Sequence, residues 1–297
     1  MCCCSAKEKN EKQMQLTEYH KRIVDYYAAT EHAYRDSWDL DRSLAIHYGY
    51  WDEQVRNFPA SLRRMNEVMM LRAAIGESDY VLDAGCGVGG SAIFLAKTVG
   101  CRVTGISLSE RQIKQARQNA SVQGLQDRLD FAVMDYCNTA FPAESFSVVW
   151  GCESICYAQD KKSFIHEAAR LLRKGGRVIV ADGFVSEIEY NHHPHVRRWL
   201  DGWQVNYLET PQRFSEMLRD AGFGQINYGD ISRYVVRSSR RLLTYYFLAN
   251  LYLWWRRLRF APPASQVQKG NISACRHQYV ALKKGLWQYG MVSAVRE

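Results

Sequence analysis

The amino-acid sequence predicts an α/β fold with a seven-stranded, doubly wound sheet, an α-helical N-terminal lid, and helical insertions after strands five and six. Three observations support this prediction. From residue 80 onward, short β-branched runs alternate with helical patterns, as in parallel sheets with crossover helices. A glycine-rich turn joins the first run to the first helix. Three segments rich in aromatic and basic residues, 16–75, 183–209 and 231–287, do not belong to this alternation.

Each predicted strand is a short apolar run bounded by turn-forming or charged residues. The seven strands are 80–83, 102–106, 129–134, 146–150, 177–182, 225–230 and 288–295. The helices predicted between them are 91–98, 109–122, 163–173 and 210–221. The last helix has the clearest boundaries, because Thr210 can cap its N-terminus, Pro211 suits the first helical position and Gly222 ends it.

Chain length and composition predict one domain. A chain of 297 residues with 47% apolar and 24% charged residues can bury one large core. Since neither an internal repeat nor a low-complexity linker occurs, we expect residues 16–297 to form a single domain. Residues 16–75 form its lid, 76–182 its ligand-binding core, and 183–209 and 231–287 its caps. The polar, charged N-terminus predicts disorder over residues 1–15.

The net charge of +8 favours an anionic partner, such as nucleic acid, a membrane surface or an acidic small molecule. Apart from residues 2–4, the nine cysteines lie singly in apolar runs, so we expect a reduced, cytoplasmic protein. The longest apolar run, 242–255, is shorter than the ~20 residues that span a bilayer. Arginines flank it on both sides, which predicts a buried or interfacial helix and leaves peripheral membrane contact open.

Residues 81–90, Val-Leu-Asp-Ala-Gly-Cys-Gly-Val-Gly-Gly, form the glycine-rich turn. Gly85, Gly87 and Gly89 allow the backbone to turn tightly and to approach a ligand closely. The turn also satisfies the G-x-G-x-x-G spacing of dinucleotide-binding proteins, which expects an acidic residue about 20 positions later. Ser107 occupies that place. The absence of the expected acid therefore weakens the interpretation as an NAD(P) oxidoreductase without excluding it.

With Asp83 before it, the turn reads Asp-x-Gly-x-Gly-x-Gly and resembles the signature of class I S-adenosylmethionine-dependent methyltransferases. Residues 81–182 resemble above all the subgroup with γ-tocopherol, sterol and prenyl-diphosphate C-methyltransferases and cyclopropane fatty-acid synthases. That subgroup often has Gly-Ile-Thr/Ser-Leu-Ser and then a glutamine in place of the acid, as residues 105–109 and Gln112 do here. The resemblance implies a Rossmann-like fold and S-adenosylmethionine as cofactor.

The likeness extends beyond the core. Residues 26–27 and 45–52 resemble the aromatic lid of this subgroup, and residues 283–290 resemble the end of the tocopherol-type enzymes. Ser147 departs from the family, in which an aspartate is common there. By resemblance, Asp135 contacts the adenine amino group. The cofactor-binding residues that the resemblance implies are Tyr27, Asp83, Gly85, Cys86, Gly87, Gly89, Ser107, Leu108, Gln112, Asp135 and Tyr136.

Methyl transfer from S-adenosylmethionine requires alignment of the acceptor and exclusion of water, because the methyl group is already activated. An amine, phenol or alkene acceptor also loses a proton, which calls for a base. Glu153 is the candidate, since it follows strand four at the carboxyl edge of the sheet. An acidic residue at this place is the proton acceptor that the sterol and prenyl-diphosphate branches imply. The alternative is a carboxylate that only bonds backbone near the cofactor.

Aromatic side chains in the lid and caps can wall an apolar pocket and stabilise a cation, whereas arginines there can bind a diphosphate. Core packing, a solvated face or a membrane contact are the alternatives. The candidate acceptor-binding residues are Tyr50, Trp51, Trp199, Trp203, Tyr207, Arg197, Arg233 and Arg237. We expect a small hydrophobic acceptor, an isoprenoid: C-methylation of a prenyl diphosphate, with or without cyclisation. Mg²⁺ is expected only with a diphosphate.

Other functions remain open to different degrees. An N- or O-methyltransferase of an amine, alkaloid or prenylated phenol is one alternative, and a non-catalytic cofactor-binding or membrane-associated scaffold is another. A nucleic-acid partner is not expected, because residues 152–155, Cys-Glu-Ser-Ile, replace the Asn/Asp-Pro-Pro-Tyr/Phe motif of base-modifying amino methyltransferases. The histidine-rich residues 191–195 predict a surface loop rather than a metal site. The oligomeric state is left open.

Overall fold

The structure is a computed structural model that describes residues 16–38, 40–260 and 262–297. The N-terminal segment 1–15, for which we predicted disorder, lies outside the described residues. The strands are β1 (Tyr80–Ala84), β2 (Arg102–Ser107), β3 (Leu129–Val133), β4 (Phe146–Cys152), β5 (Leu172–Val185), β6 (Phe223–Asp230) and β7 (Trp287–Arg296). The helices are α1 (Glu18–Trp38), α2 (Leu40–Ser43), α3 (Phe58–Arg72), α4 (Gly90–Val99), α5 (Glu110–Val122), α6 (Lys161–Leu171), α7 (Pro194–Gly202), α8 (Pro211–Asp220), α9 (Ser232–Leu258) and α10 (Gln266–Lys283).

The seven strands form one sheet in the order β3-β2-β1-β4-β5-β7-β6. Neighbouring strands from β3 to β5 pair in parallel, whereas β7 lies antiparallel between β5 and β6. This confirms the predicted Rossmann-like, doubly wound sheet. The carboxyl ends of β1, β2, β4 and β5 meet at one edge, where ligands bind in such folds.

The predicted crossover helices are present, and their boundaries follow from local chemistry. Thr210 caps α8 as predicted, since its hydroxyl accepts the backbone N–H of Arg213 over 3.3 Å. Ser109 caps α5 in the same way. Strand β5 begins five residues earlier than we predicted, because Leu172 already pairs with Phe146 of β4. Gly175 and Gly176, which the sequence suggested as the stop of the helix predicted over 163–173, therefore lie within β5.

Helices α1 and α2 and the two insertions form a helical layer at the carboxyl edge of the sheet, whereas α3 packs beside α4 and β5. Helices α7 and α10 approach so closely that a Cβ atom at Gly202 would lie 2.4 Å from the carbonyl oxygen of Gly270. The lid joins this layer through Tyr48, whose hydroxyl donates to Gln278 of α10 over 2.8 Å. Gln278 in turn donates to the carbonyl oxygen of Ser239 in α9 over 2.9 Å.

Helix α9 contains the long apolar run of the sequence. Leu242, in its N-terminal half, is buried, whereas Phe247, Leu251 and Trp254 in its C-terminal half are exposed. Within the described residues, none of the helices combines the length and the apolar character that crossing a membrane requires. The first half of α9 therefore belongs to the core and the second half to the surface.

Candidate active site

Two adjoining cavities lie at the carboxyl edge of the sheet. The first, which we call the turn cavity, is bordered by the glycine-rich turn, the ends of β2 and β4, and α1. The second, which we call the aromatic cavity, has a volume of about 320 Å³ and lies among α1, α7, α9, α10 and β7. Four residues border both cavities: Tyr27, Ile46, Glu153 and Tyr157. These four residues form the boundary between the two spaces.

The glycine-rich turn combines two different needs for glycine. Gly85 has φ +94°, and a Cβ atom there would lie 2.4 Å from Cβ of Ser154. Gly87 has φ +53°, and a Cβ atom there would meet no described atom within 4 Å. Both values lie in the left-handed region that glycine adopts easily. Gly85 therefore allows close packing of the protein, whereas Gly87 keeps the backbone open toward the turn cavity, which it borders.

Asp83, near the end of β1, places a buried carboxylate on the turn cavity. Burial raises the pKa of this carboxyl to about 7, against a smaller lowering by the backbone N–H of Ala92. Its Oδ2 atom is buried and has no hydrogen-bond partner among the described residues. Because buried polar atoms are normally paired, the arrangement fits a cationic donor such as the ammonium group of a methionine moiety.

The end of β2 carries a neutral polar pair in place of the acid that dinucleotide-binding proteins use. Ser107 donates its hydroxyl to Oε1 of Gln112 over 2.8 Å and accepts the N–H of Ser109 over 3.2 Å. Ser107, Leu108 and Gln112 all border the turn cavity. The amide nitrogen of Gln112 has no partner in the described part of the chain, so it can donate to a ligand hydroxyl.

The structure brings most of the other predicted cofactor residues to the same cavity. Tyr27, Cys86 and Tyr136 border it. Gly89 lies behind the turn, where a Cβ atom would contact Phe131. Asp135 is outside the cavity lining, and its Oδ1 accepts the N–H of the residue two positions later over 2.8 Å. The adenine contact that we predicted for Asp135 therefore stays a prediction.

Glu153 follows β4 and holds its carboxyl at the boundary between the cavities. Its Oε1 atom accepts the hydroxyl of Tyr289 over 2.6 Å and the backbone N–H of Tyr48 over 2.5 Å. Burial raises the pKa of Glu153 to about 8, although these two hydrogen bonds lower it; Asp182 raises it further. The backbone φ of Glu153 is +48°, a strained value for a residue with a side chain. A carboxyl with this pKa can exchange a proton near neutral pH.

Aromatic side chains dominate the walls of the second cavity. Trp199 of α7 and Trp203, which directly follows that helix, were both predicted to bind the acceptor, and both border this cavity. Trp199 contacts Trp287 of β7 with ring centroids 4.5 Å apart. The indole N–H groups of Trp199 and Trp203 are buried and unpaired within the described residues. The carboxyl side chains on this lining are Glu153 and Asp182, and burial raises the pKa of both. The described lining contains no lysine or arginine.

Four of the other predicted acceptor-binding residues pack the lid against α9 instead. Tyr50 stacks on Tyr234 with centroids 4.2 Å apart. The guanidinium of Arg237 lies 4.2 Å from the ring centroid of Trp51. Arg233 lies 4.4 Å from the ring centroid of Tyr234. None of these residues borders either cavity.

Arg197 and Tyr207 also form contacts away from the aromatic cavity, whose lining includes neither. Arg197 pairs with Asp201 over 2.8 Å and donates to the carbonyl oxygen of Val205 over 3.0 Å. Tyr207 stacks under the ammonium of Lys161, 4.1 Å from its ring centroid. The arginines that suggested a diphosphate site therefore do not converge on the aromatic cavity.

The histidine-rich residues 191–195 form ordered structure rather than the surface loop that we predicted. They span the end of a 3₁₀ helix (Ile188–His192) and the start of α7. His193 caps α7, since its Nδ1 accepts the backbone N–H of His195 over 3.2 Å. The described residues contain no group of three or more His, Cys, Asp or Glu side chains placed to hold a metal ion.

Four residues that border the cavities were not predicted from the sequence. Ser154, Tyr157 and Asp182 lie near the ends of β4 and β5, where strand position alone could have suggested them. Tyr289 could not be found that way. Its approach to Glu153 depends on the insertion of β7 between β5 and β6.

Comparison with known proteins agrees with this geometry. The family model described as a methyltransferase domain matches residues 82–180. The 27-O-demethylrifamycin SV methyltransferase of Amycolatopsis mediterranei (strain S699) is 31% identical over 203 residues, which cover 68% of this chain and 75% of that protein. The sarcosine/dimethylglycine N-methyltransferase of Halorhodospira halochloris is 29% identical over 231 residues, 74% and 81% of the two chains.

Among solved structures, geranyl diphosphate C-methyltransferase from Streptomyces coelicolor A3(2) superposes with a TM-score of 0.74 at 19% identity. The alignment covers 96% of this chain and 100% of that one. The fold is therefore shared over nearly the full length. Together with the Asp-x-Gly-x-Gly-x-Gly turn, these matches show that the chain belongs to the class I S-adenosylmethionine-dependent methyltransferases, as the sequence predicted.

Proposed function

We propose that the protein methylates an uncharged isoprenoid acceptor, bound in the aromatic cavity, at an alkene carbon, and that Glu153 accepts the proton. The observation that carries the proposal is the position of Glu153. Its carboxyl borders both cavities and has a pKa raised to about 8. A base at this boundary can reach an acceptor that faces the methyl donor.

The turn cavity supplies groups that suit S-adenosylmethionine. Asp83 has the unpaired buried oxygen for the ammonium group, and Gln112 has the free amide nitrogen for a ribose hydroxyl. Gly87 leaves backbone exposed for close approach of the methionine end. When bound, the cofactor supplies a methyl group that its sulfonium charge has already activated.

Proton removal then falls to Glu153. During transfer, the alkene π electrons form the new carbon–methyl bond while the sulfur–methyl bond breaks. The resulting carbocation loses a proton from a neighbouring carbon to Glu153, and the electrons of that C–H bond restore a double bond. Oε2 of Glu153 has no partner among the described residues, while Tyr289 and Tyr48 hold Oε1. The aromatic walls favour the transient cation.

The lining of the aromatic cavity favours an uncharged acceptor over a diphosphate. No lysine or arginine borders it in the described residues, so no cation there would offset the cost of taking the charge of a diphosphate out of water. The unpaired indole N–H groups of Trp199 and Trp203 suit a hydroxyl or carbonyl oxygen. The solved structure of geranyl diphosphate C-methyltransferase, whose fold this chain shares, supports the proposal that the acceptor is an isoprenoid. We therefore retain the isoprenoid from the sequence prediction and place no diphosphate in this cavity.

A panel of acceptors tests this proposal. The protein is incubated with methyl-labelled S-adenosylmethionine and, in separate reactions, a sterol, a long-chain prenol, geranyl diphosphate with and without Mg²⁺, a prenylated quinol, and dimethylglycine. We expect label in the sterol or prenol, on carbon, without a need for Mg²⁺. Labelling of geranyl diphosphate alone would show that the diphosphate hypothesis was correct and the uncharged acceptor wrong.

Methylation of an amine is the second candidate, and one observation favours it. Aromatic rings together with Glu153 and Asp182 can surround a cationic amine. A relative named sarcosine/dimethylglycine N-methyltransferase covers most of the chain. Label in amines alone would establish this function. Cofactor binding with no labelled acceptor of any class would favour the non-catalytic scaffold.

A further inference from the structure

The C-terminal half of α9 carries an exposed apolar surface that the methyltransferase chemistry does not use. We call it the α9 patch, and it consists of Phe247, Leu248, Leu251, Tyr252, Trp254, Trp255, Leu258 and Phe260. Of the eleven large hydrophobic side chains that are exposed in the described chain, these eight lie within 14 consecutive residues. Phe247 is 61% exposed and Trp254 is 59% exposed. Contiguous apolar surface of this kind marks an interaction site.

The charge of the surrounding segment is one-sided. Residues 231–287 contain eleven lysines and arginines and no aspartate or glutamate. The rest of the chain has 28 of the 39 basic residues and all 31 acidic ones. The positive charge of the protein is therefore concentrated in the segment that carries the patch. An anionic surface is the complementary partner.

Arginines lie directly beside the aromatic rings of the patch. Arg259 is 3.9 Å from the ring centroid of Trp255, and Arg256 is 5.9 Å from that of Tyr252. Neither these two nor Arg257 forms an ion pair within the described residues. Tryptophan, tyrosine and arginine together are typical of helices that lie in the headgroup region of a bilayer.

The patch also adjoins the aromatic cavity. Tyr252 is 56% exposed, and the same side chain borders the cavity. Tyr246, one turn and a half earlier on α9, borders the cavity as well, with Arg276 of α10 over its ring at 5.7 Å. An apolar molecule could thus pass from a surface in contact with the patch into the cavity without crossing bulk water.

From this arrangement we infer that the α9 patch docks the protein onto an anionic lipid bilayer, with the mouth of the aromatic cavity turned toward the lipid. The apolar rings enter the acyl boundary while the arginines contact lipid phosphates. Membrane contact of this kind needs no spanning helix. Basic residues near an anionic surface strengthen this contact, and their contribution weakens with salt. The patch and its charge would dock the protein in this way for any apolar acceptor.

Vesicle sedimentation tests the docking. The full chain is mixed with vesicles of phosphatidylcholine alone, or of phosphatidylcholine and phosphatidylserine in equal parts, and bound protein is measured in the pellet. We expect binding to the phosphatidylserine vesicles that is at least about tenfold stronger and that decreases with salt. Equal binding to both vesicles, or binding to neither, would overturn the inference.

Matched variants separate the patch from general surface effects. Phe247→Ser with Trp254→Ser removes two exposed rings, and Arg257→Glu with Arg259→Glu reverses two charges. Both should abolish sedimentation. Val122→Ser removes an exposed apolar side chain of α5, where Val122 is 77% exposed, and Lys114→Glu reverses an exposed charge of the same helix; both should bind like the parent.

Two further measurements keep the outcome interpretable. Cofactor binding, followed by calorimetry, should be unchanged in the patch variants, because the patch lies away from the turn cavity. Sedimentation velocity measures the oligomeric state. If the parent is a dimer that Phe247→Ser with Trp254→Ser converts to a monomer, and neither binds vesicles, the patch is a subunit interface and the docking inference is wrong. Loss of docking would leave methyl transfer to a detergent-dispersed acceptor intact.

Discussion

Tyr289 donates its hydroxyl to Oε1 of Glu153 over 2.6 Å. Strand β7 therefore supports the carboxyl of the residue that follows β4. This hydrogen bond lowers the pKa of Glu153, in opposition to burial. Tyr289→Phe should therefore raise that pKa further. Because a proton acceptor must be ionised, the rate at neutral pH should decrease several-fold and recover as the pH increases. A pH–rate profile in which parent and variant have the same inflection would contradict this role.

The parent enzyme should itself show a rate that increases with pH. The carboxyl of Glu153 has a pKa of about 8 before the cofactor binds, and a bound sulfonium charge lowers it. We expect kcat/KM to increase and level off with an apparent pKa at or below about 8. Glu153→Gln should lose this inflection along with most of the activity. Activity within a few-fold of the parent would exclude Glu153 as the base.

The same carboxyl should make stability depend on pH. Its pKa is raised in the folded state, so the folded protein binds this proton more tightly than the unfolded chain. The resulting stabilisation is complete below the unfolded value of about 4.5 and disappears as the pH increases through about 8. Each unit of pKa difference corresponds to about 1.4 kcal/mol.

Urea unfolding of the parent and of Glu153→Gln at about pH 6 and about pH 9 measures this effect. From the acidic to the alkaline condition, the parent should lose a few kcal/mol relative to the variant. An equal change in both proteins would show that Glu153 titrates normally.

Asp83 should control the affinity for the cofactor. Its Oδ2 atom is buried without a described partner, and hydrogen bonds to charged groups contribute about 1.5–3 kcal/mol. Asp83→Asn should therefore weaken binding of S-adenosylhomocysteine by roughly 10- to 100-fold. The parent affinity should increase as the pH increases through about 7, the pKa of Asp83, because the ionised carboxylate pairs with the ammonium. Calorimetry at several pH values checks both, and a pH-independent affinity would contradict the pairing.

Gly85 and Gly87 form a matched pair for the turn. Gly87→Ala adds a methyl group that meets no described protein atom within 4 Å, so it should cost about 1 kcal/mol of stability from its positive φ and reduce cofactor affinity strongly. Gly85→Ala pushes a methyl group to 2.4 Å from Cβ of Ser154 and should destabilise the fold by several times that amount. Thermal unfolding and calorimetry distinguish the two. Similar destabilisation by both would contradict the assignment.

Substitution of Trp203 should change the reaction with the acceptor but not the affinity for the cofactor. Trp203→Phe keeps an aromatic wall but removes an indole N–H that is unpaired among the described residues. If that group bonds an acceptor oxygen, kcat/KM should decrease by about 5- to 15-fold, the equivalent of about 1–1.5 kcal/mol. Cofactor affinity should not change. A decrease of the same size in cofactor affinity would show that Trp203 acts on the turn cavity and not on acceptor binding.

The glycine-rich side of the turn cavity was predictable because the residues that border it are close together in sequence. Asp83, Gly85 and Gly87 lie within five residues on a strand and its turn, and the backbone geometry fixes what they face. Glu153 was predictable for the same reason, since it directly follows a strand that ends at the ligand edge.

The acceptor half was less predictable because it is assembled from distant segments. Trp199 and Trp203 reach the cavity, whereas Tyr50 and Trp51 have the same composition and pack the lid instead. Composition does not distinguish the two outcomes, since they depend on how α7 and the segment between α2 and α3 pack against the other helices. Arg197 looked like a phosphate ligand but bonds the end of its own helix.

The positive φ of Glu153 has a consequence for how this protein could change over time. A glycine at that position would remove both the strained backbone and the buried carboxyl, so it would make the protein more stable and less active. If Glu153 is the base that we propose, selection for stability alone would therefore act against activity at this residue. A related chain that kept the fold but lost the reaction should therefore carry glycine or asparagine at position 153, because both residues tolerate a positive φ.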